Sequence, residues 1–258
     1  MSSELMTRSI VGLALILTAS AALWFGGFAF WLLLVVAGVL MQGEWAGLVG
    51  ASPDQRRLSM YAVSVPLAIL CPLAAGVSWL AFTLMAAAFF FILLVTRSVR
   101  LALGVPYICV PVAALIFLRG QGSDAYGLML AFWALALVWA TDIGAYFAGR
   151  SIGGPKLAPR VSPSKTWAGL GGGVAAASAL GFVLHRFANL PIHLAAASGL
   201  LAVAAQLGDL LESAMKRRAG VKDSGSLLPG HGGVLDRLDG VAAAAPLAAL
   251  LYLLWVSP

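Results

Sequence analysis

An all-α, polytopic membrane fold of about nine transmembrane helices, with a cytoplasmic N-terminus, is what this sequence predicts. Three observations carry that expectation. Of the 258 residues, 61% are hydrophobic and 10% charged, with a mean hydropathy of +0.96, outside the range of soluble globular chains. Apolar stretches of about 19 residues, the length that crosses the hydrocarbon core, recur along the whole chain. Lys and Arg fall almost entirely into alternate loops between those stretches.

Taken in order, the apolar windows place spans at 9–26, 28–48, 59–76, 78–96, 101–118, 127–148, 167–184, 191–213 and 240–256. The first shares features with a signal peptide: Arg8, an apolar run from Ile10, and small residues from Ala19 to Ala22. Many equally apolar stretches follow, so a retained span is expected. Only Gly76, Val77 and Ser78 divide the third and fourth spans. With the N-terminus inside, the inner segments carry Arg8, Arg56, Arg57, Arg97, Arg100, Arg150, Lys156, Arg160, Lys165, Lys216, Arg217, Arg218, Lys222 and Arg237. That is fourteen of the sixteen cations, leaving Arg119 and Arg186 outside. Such a split follows the positive-inside rule, and it opens the two richest loops, 149–166 and 214–239, to the cytoplasm. No linker separates soluble units. Residues 1–258 therefore read as one transmembrane domain, with N-terminal helices in 1–126 and a chemically loaded half in 127–258.

The net charge of +6 does not point to nucleic acid, because the cations sit in short loops where topology and anionic headgroups account for them. Cys71 and Cys109 lie inside apolar segments with no second Cys or His beside them, so neither a disulfide framework nor a zinc site is expected. Glycine and alanine inside the spans allow helices to approach closely, and they permit a homodimer. The run Gly169–Gly173 resembles a phosphate cradle, but helix packing is the better reading.

Charge concentrates in Ala204–Gly240, which holds Asp209, Glu212, Asp223, Asp236 and Asp239, half of the ten acidic residues, with Lys216, Arg217, Arg218, Lys222 and Arg237. Asp209 and Glu212 share a helix face at i, i+3, and Asp236 and Asp239 repeat the spacing after a glycine-rich turn. Two carboxylate pairs beside a basic loop suggest oxygen ligands for a hard cation facing an anion. Glu212 is also spaced to pair with Lys216 at i+4, so a structural role stays open for it. Asp209 has no such neighbour. Asp142 and Glu44 are further ionisable groups inside spans, where charge is costly and needs a reason; for Glu44, beside Trp45, a structural or snorkelling role is expected. In the loop Arg150–Thr166, prolines restrict the backbone, and Ser162, Ser164, Lys165 and Thr166 lead into a span. Hydroxyls, a lysine and free N–H groups at a helix start make a phosphate site; an ordinary N-cap is the equal alternative. His231 differs from His185 and His193, expected to be structural, in lying among carboxylates and glycines, where general-base chemistry is open to it.

The stretch Ser213–Gly240, SAMKRRAGVKDSGSLLPGHGGVLDRLDG, resembles the signature of the phosphatidate cytidylyltransferase (CDP-diacylglycerol synthase) family. TDIGAYFAGR at Thr141–Arg150 and KLAPRVSPSKTWAG at Lys156–Gly169 fit it too, and GEWAGL at Gly43–Leu48 is a weaker echo. One departure is Ala168, where family members often carry Glu or Gln. The resemblance implies an enzyme that joins CTP and phosphatidate to give CDP-diacylglycerol and pyrophosphate, in a bacterial inner (plasma) membrane with its site facing the cytoplasm. It implies Asp209 and Asp236 as ligands of Mg²⁺, with a second cation possible in principle and Asp142, Glu212 and Asp239 as outer or additional ligands. It also implies phosphate binding by Ser162, Lys165, Thr166, Lys216, Arg217, Lys222 and Arg237, with His231 near the substrate. The competing class is an ion-coupled transporter with Asp209 and Asp142 holding the coupling ion, and a nucleotidyltransferase for another lipid phosphate is a narrower rival. Charge gathered in one half, at one face, favours an enzyme.

Overall fold

The computed structural model describes residues 3–256. Its helices are α1 (Ser3–Phe25), α2 (Gly27–Leu48), α3 (Pro53–Ile69), α4 (Trp79–Thr96), α5 (Val99–Ala102), α6 (Gly104–Arg119), α7 (Asp124–Ser151), α8 (Trp167–Ala188), α9 (Ile192–Arg218) and α10 (Leu235–Val256), with a hairpin of β1 (Lys156–Ala158) and β2 (Ser162–Thr166). Seven helical stretches are long and apolar enough to cross a membrane: α2, α4, the joined α5–α6, α7, α8, α9 and α10. Large apolar side chains face outward, and Trp24, Trp79, Phe187 and Trp255, all near helix ends, are exposed, as expected of an aromatic belt at the lipid interface. The fold class is the predicted all-α membrane bundle. Of Arg8, counted among the inner cations, the side chain lies outside the described residues.

The third predicted span, 59–76, is corrected to α3 at 53–69. Ser52 accepts from Gln55 N at 3.3 Å while Gln55 Oε1 accepts from Ser52 N at 3.1 Å, a capping box, and Pro53 occupies the first turn, where a missing N–H costs nothing. At the other end Pro72 offers no N–H, and residues 71–78 turn instead. The fifth span breaks into α5 and α6 for the same reason: Pro106 cannot donate to Ala102, the last residue of α5.

Helix α6 is the axis of the bundle, packed against α2, α7 and α10. Gly104 at its start lies against Gln42 and Trp45 of α2, and the Trp45 indole donates to Arg100 O at 2.9 Å. Helices α7 and α8 meet through glycine: a Cβ on Gly172 would strike Ala148 and the Gly144 carbonyl, and one on Gly173 would lie 2.9 Å from Thr141 O. Gly169–Gly173 is therefore a helix-packing surface. Helix α9 then packs on both α8 and α10, its Ser198 accepting the Trp133 indole at 2.9 Å. At the end of the bundle where α7 begins, the buried Arg119 donates to Leu23 O at 2.9 Å and Trp24 O at 3.2 Å and pairs with Asp124 at 2.7 Å. It satisfies the last carbonyls of α1.

Candidate active site

The charged groups collect at the opposite end, where the last turns of α7 and α9, the first turn of α10, the hairpin and residues 219–234 converge. The predicted loop 214–239 is shorter than its sequence implied: Lys216 and Arg217 belong to α9, and Asp236, Arg237 and Asp239 to α10. The loop 149–166 is not irregular either. Ala158 pairs with Ser162 and Lys156 with Thr166 across the antiparallel hairpin, and Thr166 ends it as the N-cap of α8, accepting from Gly169 N at 3.0 Å.

A cavity of about 360 Å³ opens between these elements, lined by Asp142, Arg150, Ser164, Lys165, Gln206 and Asp209 among others. Strand β2 carries Lys165 into an ion pair with Asp209, whose other oxygen accepts from the Ser213 hydroxyl at 3.2 Å. The Gln206 amide lies 3.4 Å from Asp142 Oδ1. At Gly208 the backbones of α9 and α10 touch, since a Cβ there would sit 2.6 Å from Asp239 O. That approach sets Asp239, on α10, against the helix that carries Asp209, and the cations in the cavity lining are Arg150 and Lys165. A larger groove of about 630 Å³ between α3 and α4 is apolar and contains none of these groups.

Beside the cavity lies a second, tighter cluster. The Lys216 ammonium bridges Glu212 at 3.1 Å and Asp236 at 2.6 Å, all three being largely buried. Asp236 Oδ2 also accepts from Gly233 N at 2.7 Å and from the backbone N and hydroxyl of Ser224 at 2.9 and 3.0 Å. Gly232 at φ +78° turns the chain, a conformation glycine adopts at no steric cost, and so aims these donors at Asp236. Glu212 Oε2 is buried with no hydrogen-bond partner.

The predicted residues divide accordingly. Asp142, Lys165, Thr166 and Asp209 line the cavity, and Glu212, Lys216 and Asp236 form the adjoining cluster. Asp239 stands between the two. The i+4 pair of Glu212 with Lys216 is present. Arg217 is exposed and ties the hairpin to the loop, with Nε 3.4 Å from Val161 O and a terminal nitrogen 3.2 Å from Val221 O. Ser162 sits at the hairpin's turn, and Lys222 and Arg237 are exposed. His231 leans toward Gly12 of α1, while His185 Nδ1 lies 2.7 Å from Leu190 O and His193 stacks on Trp255, both structural. Among the described residues no group of three or more metal-ligating side chains stands ready to hold an ion.

Two neighbours of the site were missed by sequence reasoning, Gln206 and Ser224, which carry no spacing signal. Of the structural or snorkelling role expected for Glu44, the structural one is present: Glu44 is buried, 3% exposed, and its oxygens face Val234 N, Leu235 N and the Ser224 hydroxyl. A charge inside a span demands such partners.

The sequence profile of the cytidylyltransferase family matches residues 6–255. The chain belongs to that cytidylyltransferase family. Within it, the chain is 41% identical over 256 residues to the phosphatidate cytidylyltransferase of Brucella suis, covering 97% of this chain and 93% of that protein. It is 38% identical over 253 residues to the one from Pseudomonas aeruginosa, covering 88% and 91%, and 45% identical over 142 residues to the one from Bacillus subtilis, covering 54% and 53%. For a cytidylyltransferase the cavity has the right polarity: a nucleoside triphosphate needs cations, hydroxyls and backbone N–H groups, and β2 with the start of α8 supplies all three.

Proposed function

We propose that this cytidylyltransferase transfers the cytidylyl group of CTP to phosphatidate, releasing pyrophosphate and leaving CDP-diacylglycerol in the membrane. The observation that carries the reading is Lys165 paired with Asp209 in the lining of a cavity to which Arg150, Asp142, Ser164 and Thr166 also contribute. A phosphatidate oxygen attacks the α-phosphorus of CTP, the α–β bridging bond breaks, and pyrophosphate leaves with the electron pair. Both reactants are anions and no covalent nucleophile is needed, so the protein's work is positioning and charge compensation. Lys165 pairs with the cavity's Asp209; together with Arg217, Lys222, Arg237, Ser162 and Thr166 it binds the triphosphate and the lipid phosphate. Lys216 holds Asp236. The acyl chains stay in lipid while CTP arrives from the cytoplasm, which favours a site at the cytoplasmic face of a bacterial inner membrane. A homodimer is part of the proposal, to be read from the mass of the purified protein in detergent.

Mg²⁺ fits the donor chemistry: hard carboxylate oxygens of Asp142 and Asp209 in the cavity lining and the orphaned buried Oε2 of Glu212. Asp209 and Asp236 would hold the ion with Glu212 or Asp239, and a second cation would find carboxylate oxygens in the same set. When bound it would neutralise charge developing on the phosphates. Asp236, whose oxygens are engaged by Lys216, Ser224 and Gly233, would have to exchange some of those bonds to hold the ion.

The test is pyrophosphate release from CTP by purified protein in detergent, with and without Mg²⁺, phosphatidate or another lipid phosphate. Release requiring metal and phosphatidate, with a CDP-linked lipid as product, supports the reading. Preference for another lipid phosphate would replace the substrate, and no release from folded protein would revive the ion-coupled transporter.

A further inference from the structure

The N-terminal helices bear none of the groups to which metal or phosphate binding is assigned above, yet one side chain from them, Glu44, reaches the site. Glu44, on α2, accepts from Val234 N at 3.0 Å and Leu235 N at 2.8 Å, and it lies 3.2 Å from the Ser224 hydroxyl. Leu235 opens α10 and Val234 immediately precedes it, where a helix leaves its first N–H groups unsatisfied and carries partial positive charge. Among the described residues no side chain of the preceding turn caps them. Glu44 therefore caps α10 from 191 residues away in sequence. The fit is close: a Cβ on Gly225 or Gly233 would stand 2.6 or 2.5 Å from the Glu44 carboxylate, so both glycines are needed for the loop to approach it. The Ser224 hydroxyl is 3.2 Å from Glu44 Oε2 and 3.0 Å from Asp236 Oδ2, its single proton lying between the two carboxylates. Glu44, Ser224, Asp236, Lys216 and Glu212 form one connected chain from α2 through α10 to α9.

We infer that Glu44 is a positioning residue for cytidylyl transfer, setting Asp236 and the loop 219–234 by capping α10. The inference rests on the reading that Asp236 works in that reaction. Three variants, Glu44→Gln, Glu44→Ala and Ser224→Ala, would be purified in detergent. Each would be measured for melting temperature, kcat, KM for CTP, and the rate of tryptic cleavage after Lys222. Glu44→Gln keeps the shape and one acceptor oxygen, whereas Glu44→Ala removes both. The expected order of kcat is wild type, then Gln, then Ala, with a loss for Ala of about 10²-fold, the scale of a misplacement near 1 Å. KM for CTP should change little, and cleavage after Lys222 should speed up in the reverse order. A structural brace alone would lower the melting temperature and the folded yield while leaving kcat per folded molecule unchanged, which would overturn the proposal. So would wild-type kcat and wild-type cleavage in Glu44→Ala. If Glu44→Ala does not fold, Glu44→Gln and Ser224→Ala decide by the same criteria. Should the wild type itself prove inactive with CTP and phosphatidate, the functional reading fails, and unchanged cleavage rates would still refute the cap.

Discussion

At the scale of single residues, the two lysines explain why carboxylates tolerate an apolar protein. Lys165 neutralises Asp209 and Lys216 neutralises Asp236, the first pair tying the hairpin to α9 and the second tying α9 to α10. Asp209→Asn should abolish CTP turnover and leave the melting temperature within a few degrees, because the pair is partly solvated and such pairs contribute about 1 kcal/mol or less. Asp236→Asn should also abolish turnover, but it replaces the charged acceptor of the bonds from Lys216, Ser224 and Gly233, and hydrogen bonds to charged groups contribute about 1.5–3 kcal/mol. A clear drop in melting temperature for Asp236→Asn only is the expected contrast, readable by thermal unfolding in detergent. Asp209 could be picked from sequence because charge in hydrocarbon is conspicuous, whereas Asp236 and Lys216, expected in the loop 214–239, stood out by their spacing to Asp239 and Glu212 and by the family resemblance. Their partners could not: Lys165 meets Asp209 through a hairpin with no local periodicity, and Glu44 meets α10 across the whole chain.

At the scale of elements, glycine decides how the site is carried. Helix α8 presses Gly172 onto Gly144 and Ala148 of α7, and Thr166, at its N-terminus, ends the strand that bears Lys165. Gly172→Ala should push α7 and α8 apart, lower the melting temperature and reduce turnover by shifting β2. Gly171→Ala, where nothing lies within 4 Å, should be neutral or slightly stabilising, since alanine is the better helix former by about 1 kcal/mol. Thermal unfolding and turnover of the two variants side by side check this pair. Thr166→Ala removes an N-cap worth about 1 kcal/mol and should lower stability modestly. The spans themselves were legible because hydropathy reports length directly. Ends were legible only where a cap was recognised, so α3 was placed six residues late at its start, and the turn at Pro72 was hidden in an apolar run. The hairpin was not legible at all: its strands are short, mostly polar and interrupted by Pro163, and their pairing depends on the helices that flank them.

At the scale of the whole molecule, the bundle separates its ends by charge. One end joins α1 to the start of α7 through Arg119 and Asp124; the other gathers the carboxylates and most cations. The proposed orientation gives a direct labelling test in intact cells: a cysteine at Lys222 should resist a membrane-impermeant thiol reagent, and one at Gln121 should react. The native Cys71 and Cys109 are buried and give little background. Reversed labelling would overturn the cytoplasmic placement. This asymmetry was readable from the sixteen Lys and Arg, because loop charge is counted along the chain. The union of the N-terminal helices with the site was not, because it depends on one contact spanning most of the sequence.

The capping of α10 by α2 also bears on how the protein is made. Glu44 leaves the ribosome with α2, whereas the amides it binds follow 191 residues later, roughly 10–40 s at translation rates of about 5–20 residues per second. During that interval α2 holds a carboxylate whose eventual partners do not exist, and Asp209 and Glu212 emerge before Asp236. The nascent chain is thus expected to acquire activity in one late step, after its last helix inserts. A truncated product lacking α10 would lie in the membrane without turning over substrate.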